Sequence, residues 1–90
     1  MAYALTTALH SEITLENGQV QQSNFHDYPI VKMDEMPVVT IEIIPSNEPP
    51  LSIGEDAVPI TIAALVNALA DAGAPRIRRL PVKSALQAPA

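Results

Sequence analysis

"EITLENGQVQQ", residues 12–22, is the stretch on which the fold turns. Asn17-Gly18 at its centre is a preferred two-residue type I′ turn, because both positions need positive φ, which Asn tolerates and Gly adopts freely. Closing the chain there pairs Glu16 with Gln19 and Leu15 with Val20, so that two apolar side chains oppose each other and Ile13 shares their face. The stretch reads as a β-hairpin.

Upstream, "AYALTTALHSE" (2–12) puts Leu5, Ala8 and Leu9 on one helical face, with Glu12 at the end of the same stripe. This helix has no Ser, Thr, Asp or Asn before its first turn, as if the chain were entered in the middle of a larger body. Downstream, "SNFHDYPIVKMDEMP" (23–37) holds no period, and Pro29 and Pro37 confine ladder bonding to edges and ends. An irregular or edge-strand crossing is expected, pinned to a larger body by Phe25, Tyr28, Met33 and Met36. "VVTIEII" (38–44) alternates, with Val39, Ile41 and Ile43 against Thr40 and Glu42, as a half-buried strand does.

In "ITIAALVNALADAG" (60–73) Ile62, Leu65, Val66 and Leu69 recur at helical spacing and Gly73 suits a left-handed stop. Alanines fill much of the opposite face, so burial on more than one side is expected, which ninety residues cannot supply. "RIRRLPV" (76–82) reads as a final strand and residues 83–90 as a disordered tail. The fold class is α+β: an N-terminal helix, a hairpin, a further strand, a buried helix and a final strand, forming a fragment of a larger α+β domain over residues 1–82.

Composition narrows what such a chain can do. Ninety residues bury only about 60 to 65 per cent of the surface they expose when unfolded. Only Tyr3, Phe25 and Tyr28 are aromatic, and no cysteine is available for a disulfide or thiolate metal site. A small core without staples points to a partner. The net charge of −5 disfavours nucleic acid. Arg76, Arg78, Arg79 and Lys83 cluster late in the chain, but no aromatic is interleaved with them for base stacking. Apolar stretches fall far short of the roughly 20 residues of a membrane span, and no basic-then-apolar export signal opens the chain.

The chemistry-bearing candidates are few. His10 and His26 lack ligand-like spacing, and His26-Asp27 would point to opposite faces of an extended chain, so neither a metal site nor a triad is expected. Ser23, Ser46 and Ser52 have no paired base, and three glycines make no phosphate loop. "PSNEPPLSIGEDAVP" (45–59) differs: four of the nine prolines stiffen it, and it carries Glu55 behind Gly54. A connection this long in a small domain is often functional, and Gly54 would allow a close backbone approach or positive φ before the acid. On the residues alone, Glu55 and Asp56 read first as ordinary solvated loop acids, ahead of a functional role.

Taken in order, "ITLENGQVQQSNFHDYPIVKMDEMPVVTIEIIPSNEPP", "IGE" and "VP…ALVNALADAGAPRIRRLPV" resemble the C-terminus of the molybdenum-cofactor-binding subunit of the xanthine dehydrogenase and aldehyde oxidase family, in particular isoquinoline 1-oxidoreductase-type β subunits. The resemblance extends to about Val82. It implies that Gly54-Glu55 match the start of a Gly-Glu-Pro-Gly-like motif beside the molybdenum, with Glu55 as active-site base and Gly54 adjacent to the cofactor. That base would take the proton of a metal-bound hydroxyl attacking an aldehyde or N-heterocycle, with water as the oxygen source, while hydride passes to a sulfido ligand.

The implied cofactor is molybdopterin, in its cytosine dinucleotide form, in an assembled enzyme; the isolated chain is expected to hold none and to be inactive, with no metal ligand of its own. The implied partners are the remainder of the large subunit and, indirectly, an iron–sulfur subunit that takes the electrons. Where the family has Pro-Gly after the glutamate, this chain has Asp56-Ala57, placing a second negative charge beside Glu55. The alternatives are a non-catalytic interaction module or inactive remnant, and an independent small binding domain.

Overall fold

The computed structural model describes residues 1–88. Its elements, in chain order, are helix α1 (Ala2–Leu9), strands β1 (Leu15–Glu16) and β2 (Gln19–Val20), a 3-10 turn at Met33–Glu35, helix α2 (Gly54–Asp71) and helix α3 (Val82–Gln87). The fold is mixed α+β, with three helices and one two-stranded antiparallel sheet among the described residues.

The hairpin has the register its turn dictates, Leu15 opposite Val20 and Glu16 opposite Gln19. Asn17 and Gly18 take φ of 50° and 77°. Beyond the two-residue ladder, the Gln21 amide donates to the Thr14 carbonyl at 2.9 Å and the Thr14 amide donates to Gln22 Oε1 at 2.8 Å. Because a β-carbon in the left-handed region costs about 1–2 kcal/mol, Gly18→Val should weaken this hairpin by that amount. Amide exchange at Gln21 reads it: faster exchange is expected, and an unchanged rate would show that the turn tolerates a side chain.

α1 is the centre of what core there is. It packs along α2 and against α3. The buried apolar residues among those described are Ala4, Leu5 and Ala8 of α1 with Ile77, Pro81 and Val82. Ala4, Leu5 and Ala8 lie at helical spacing on one face, and the two small alanines let the neighbouring elements approach closely. α2 turns Val58, Thr61, Ile62, Leu65, Val66, Leu69 and Ala70 partly inward, the i, i+3, i+4 stripe of an amphipathic helix.

Several expected features take a different form. α2 begins at Gly54, inside the stretch expected to be loop, so Pro59 lies within the helix. The inward stripe already starts at Val58, and Glu55 and Asp56 suit a first turn whose free amides carry partial positive charge. None of α2 is buried, because only α1 covers it. Residues 38–44 and 76–82 form no strand ladder, since no neighbouring strand offers them an edge. Residues 82–87 form α3, where a final strand and then a disordered tail are expected; buried Val82 holds the helix, and Ser84 Oγ donates to Glu12 Oε2 at 2.7 Å. Pro89 and Ala90, the end of that expected tail, lie outside the described residues. Within this chain Phe25 and Met33 do not anchor the crossing, being 83 % and 92 % exposed and so open to the larger body they are expected to pin against, while Tyr28 and Met36 are half-buried.

The crossing is tied down instead by polar contacts. The Val31 amide donates to Thr6 Oγ1 at 3.1 Å, and His10 Nε2 meets Glu35 Oε1 at 2.9 Å. The other Glu35 oxygen accepts from the Lys32 amide at 2.9 Å. The Lys32 amide, and secondarily His10, holds the Glu35 carboxyl below the usual carboxylate range. A depressed folded-state pKa stabilises above the unfolded value and loses its contribution as pH falls through the folded one. On acidification, the contact between α1 and the 3-10 turn should therefore loosen below the ordinary carboxylate range. Lys32 amide protection, taken relative to the intrinsic exchange rate at each pH, should fall there in the native chain and lose that step in Glu35→Gln; pH-independent protection in the native chain would contradict the tether.

The radius of gyration is 16.1 Å, against about 12 Å for a compact domain of this length. The accessible surface is 7686 Å², roughly half again the ~5,100 Å² expected for its mass. No helix among the described residues is long and apolar enough to cross a membrane.

Candidate active site

Glu55 occupies the first turn of α2, which approaches the start of α1. Between these two helix starts lies an open groove of ≈ 600 Å³, walled by Met1, Tyr3 and Ala4 on one side and by Ile53, Ala57 and Val58 on the other. Glu55 is the one residue lining it whose side chain is charged. That side chain is exposed, so the apolar walls stand beside the carboxylate without enclosing it.

The first turn of α2 is more loosely tied than a helix interior. Ile53 provides no side-chain cap, and the Ala57 amide donates to the Ile53 carbonyl at 3.3 Å. Pro59 has no N–H, so the bond that would run to the Glu55 carbonyl is missing from the ladder. Two residues on, Thr61 Oγ1 donates to the Ala57 carbonyl at 2.7 Å. The acid is thus carried on helical backbone in a turn that lacks a side-chain cap and one ladder bond.

Gly54 has helical backbone, and a β-carbon added there would meet nothing within 4 Å. Neither positive φ nor a close approach within this chain accounts for the glycine, contrary to what a loop at this position would require. Asp56 is exposed and follows Glu55 in the same turn.

Of the remaining candidates, Ser52 lines the same groove as Glu55, three residues before it in the chain, while the histidines and Ser23 lie elsewhere. A turn at 24–27 gathers Ser23, His26 and Asp27, but Ser23 Oγ donates to Asp27 Oδ2 at 3.3 Å and His26 Nε2 stands 3.6 Å from the same oxygen. The serine therefore addresses the acid and not the imidazole, the wrong order for a nucleophile and its base. Asp27 instead closes the turn, accepting from the Ser23 and Asn24 amides at 3.0 Å. The Asn24 amide in particular holds its carboxyl below the ordinary range. Nothing in the sequence announces the His10–Glu35 contact, because 25 residues separate the partners and no spacing rule joins them.

The described residues do not by themselves fit a pterin dinucleotide. The groove at Glu55 offers no cationic side chain for a phosphate, and two acids occupy the adjoining helix start. Arg76, Arg78 and Arg79 line a separate groove with α3. No cluster of His, Cys, Asp and Glu among the described residues could hold a metal ion.

The chain is similar to a short segment of several oxidoreductase polypeptides. It is 33 % identical over 75 residues to a nicotinate dehydrogenase polypeptide of Pseudomonas putida KT2440, covering 82 % of this chain and 6 % of that protein. It is 29 % identical over 82 residues to the isoquinoline 1-oxidoreductase β subunit of Brevundimonas diminuta, covering 91 % and 10 %. The membrane-bound aldehyde dehydrogenase (pyrroloquinoline-quinone) of Gluconacetobacter polyoxogenes is 29 % identical over 83 residues, covering 92 % and 11 %. The chain thus spans about a tenth or less of the length of the curated relatives it matches. No protein-family model matches it, and no solved structure does.

Proposed function

We propose that this chain is a segment of a molybdenum-hydroxylase-type oxidoreductase, contributing Glu55 as a proton acceptor to an active site completed by a larger polypeptide. The observation that carries the reading is the position of Glu55, the single charged side chain on an apolar groove at a helix start. Similarity to segments of dehydrogenase and oxidoreductase polypeptides supports the reaction class. The chain's large surface supports a body completed by other residues.

In this reading Glu55 accepts the proton of an oxygen nucleophile as it attacks an electron-poor carbon of an aldehyde or N-heterocycle. Covering the groove would exclude water from the Tyr3, Ile53 and Val58 walls and leave the carboxylate as the charged group facing the reacting atoms. A molybdopterin cofactor would be held by the larger polypeptide, because the residues here do not fit it. The electrons would leave through an iron–sulfur partner.

The same surface also suits a purely structural role, in which the chain completes another polypeptide without touching its chemistry. Glu55→Gln in a reconstituted enzyme separates the two: lost turnover with intact assembly supports the base, whereas full turnover leaves only the structural role.

A further inference from the structure

We infer that residues 38–44 form a β-strand on a sheet edge of the larger polypeptide, the docking element by which this chain joins it. The inference rests on the reading just given, that such a polypeptide exists. The segment is "VVTIEII", five of whose seven residues are β-branched aliphatics and a sixth of which is threonine. Yet it lies outside every helix and ladder, and none of the backbone–backbone hydrogen bonds among the described residues involves it. Val38, Ile41 and Ile43 are 99 %, 79 % and 88 % exposed, and Ile44 and Val39 are also exposed.

An apolar, β-branched segment with free backbone donors and acceptors is the ligand of strand addition. Main-chain bonds supply affinity, and alternate side chains enter pockets on the receiving sheet. Pro37 and Pro45 bracket it, and since proline cannot donate to a ladder they limit pairing to the seven residues between, about 23 Å of strand.

Two observations identify the occupant. First, the chain matches about a tenth or less of each relative, so roughly nine-tenths of those polypeptides lie outside it. Its surface exceeds that of a compact chain by about 2,600 Å², well above the roughly 800 Å² that each partner gives a standard interface and on the scale of obligate ones. Second, a second copy would bring another net charge of −5 to the contact, and the segment itself has no cation to offset it, Glu42 being its only charge. A sheet edge in the larger polypeptide is therefore favoured over self-pairing.

The test mixes this chain with the isoquinoline 1-oxidoreductase β subunit lacking its similar segment, and follows backbone amide exchange residue by residue. In a strand, neighbouring residues present their amides to opposite edges. Exchange should slow about 100-fold or more in one alternating row, 39, 41 and 43 or 38, 40, 42 and 44, or in both if the strand enters between two others. Thr40→Pro and Ile41→Pro each delete a donor from one row, and at least one should weaken the complex tenfold or more. Because the segment is exposed and outside regular structure, the circular dichroism of the free variants should be unchanged. A complex whose 38–44 amides exchange as in the free chain overturns the inference, as does failure to form any complex. Protection that appears in the chain alone and grows with its concentration would assign the segment to self-pairing and overturn it too. Amide protection with full turnover in Glu55→Gln would keep this inference while rejecting Glu55 as the base.

Discussion

Glu55→Gln should lower turnover of a reconstituted enzyme by about 10²–10⁴-fold, the usual contribution of a positioned general base, while leaving the complex equally stable. The substitution keeps size and shape while removing the negative charge and the capacity to accept a proton. The side chain is exposed and borders, without filling, the groove beside Tyr3 and Val58. A glutamine therefore leaves no buried donor unpaired within this chain. Losing the negative charge at the start of α2 should cost only a few tenths of a kcal/mol to about 1 kcal/mol of helix stability. Turnover at matched complex concentration, measured beside co-purification, separates chemistry from assembly. Asp56→Asn is the companion variant: if Glu55 alone accepts the proton, its effect should be small beside that of Glu55→Gln. Equal losses from the two would mean that the local negative charge matters and not a particular base.

Leu5→Ala should cost about 2–5 kcal/mol, the range for removing a buried leucine side chain. Folded domains have only roughly 0.05–0.15 kcal/mol of stability per residue, so a chain of this length has little to spare. Leu5 is the largest side chain among the buried residues of α1, where its neighbours are alanines. The other buried apolar groups, Ile77, Pro81 and Val82, lie far along the chain. Urea or thermal unfolding should therefore show the variant largely unfolded or far less stable than the native chain. A shift under about 0.5 kcal/mol, the size typical of a surface substitution, would mean that α1 does not organise the core. Binding to a larger polypeptide should recover part of the loss, since that association stabilises the folded form by mass action.

What can be read from the sequence follows the range of the forces involved. The hairpin register is local, set by the backbone preferences of Asn17 and Gly18, and the structure bears it out residue for residue. The buried face of α1 is likewise written in the spacing of Leu5 and Ala8. The start of α2 is obscured by Pro59, which ordinarily argues against a helix interior. The signals that mark it, the acidic first turn and a stripe already running from Val58, are individually weak.

α3 depends on contacts no local window contains: Val82 is buried in the small core, and Ser84 reaches Glu12 across 72 positions. The strand patterns at 38–44 and 76–82 describe side chains suited to a sheet, but a ladder also needs a second edge. At the candidate site, Glu55 is identifiable by residue type and by resemblance to a family motif. The groove formed with Tyr3 and Ala4 is not, because it depends on how α1 crosses the start of α2.

The most direct measurement adds the ninety-residue chain to the isoquinoline 1-oxidoreductase β subunit that lacks its similar segment, in the presence of that enzyme's other components, and follows oxidation of an N-heterocycle. Turnover should be absent without the chain, appear on its addition, saturate at one chain per enzyme and fail to appear with Glu55→Gln. A tight complex that stays inactive with the native chain, or turnover just as fast with the glutamine variant, would contradict the assignment of Glu55 as the base.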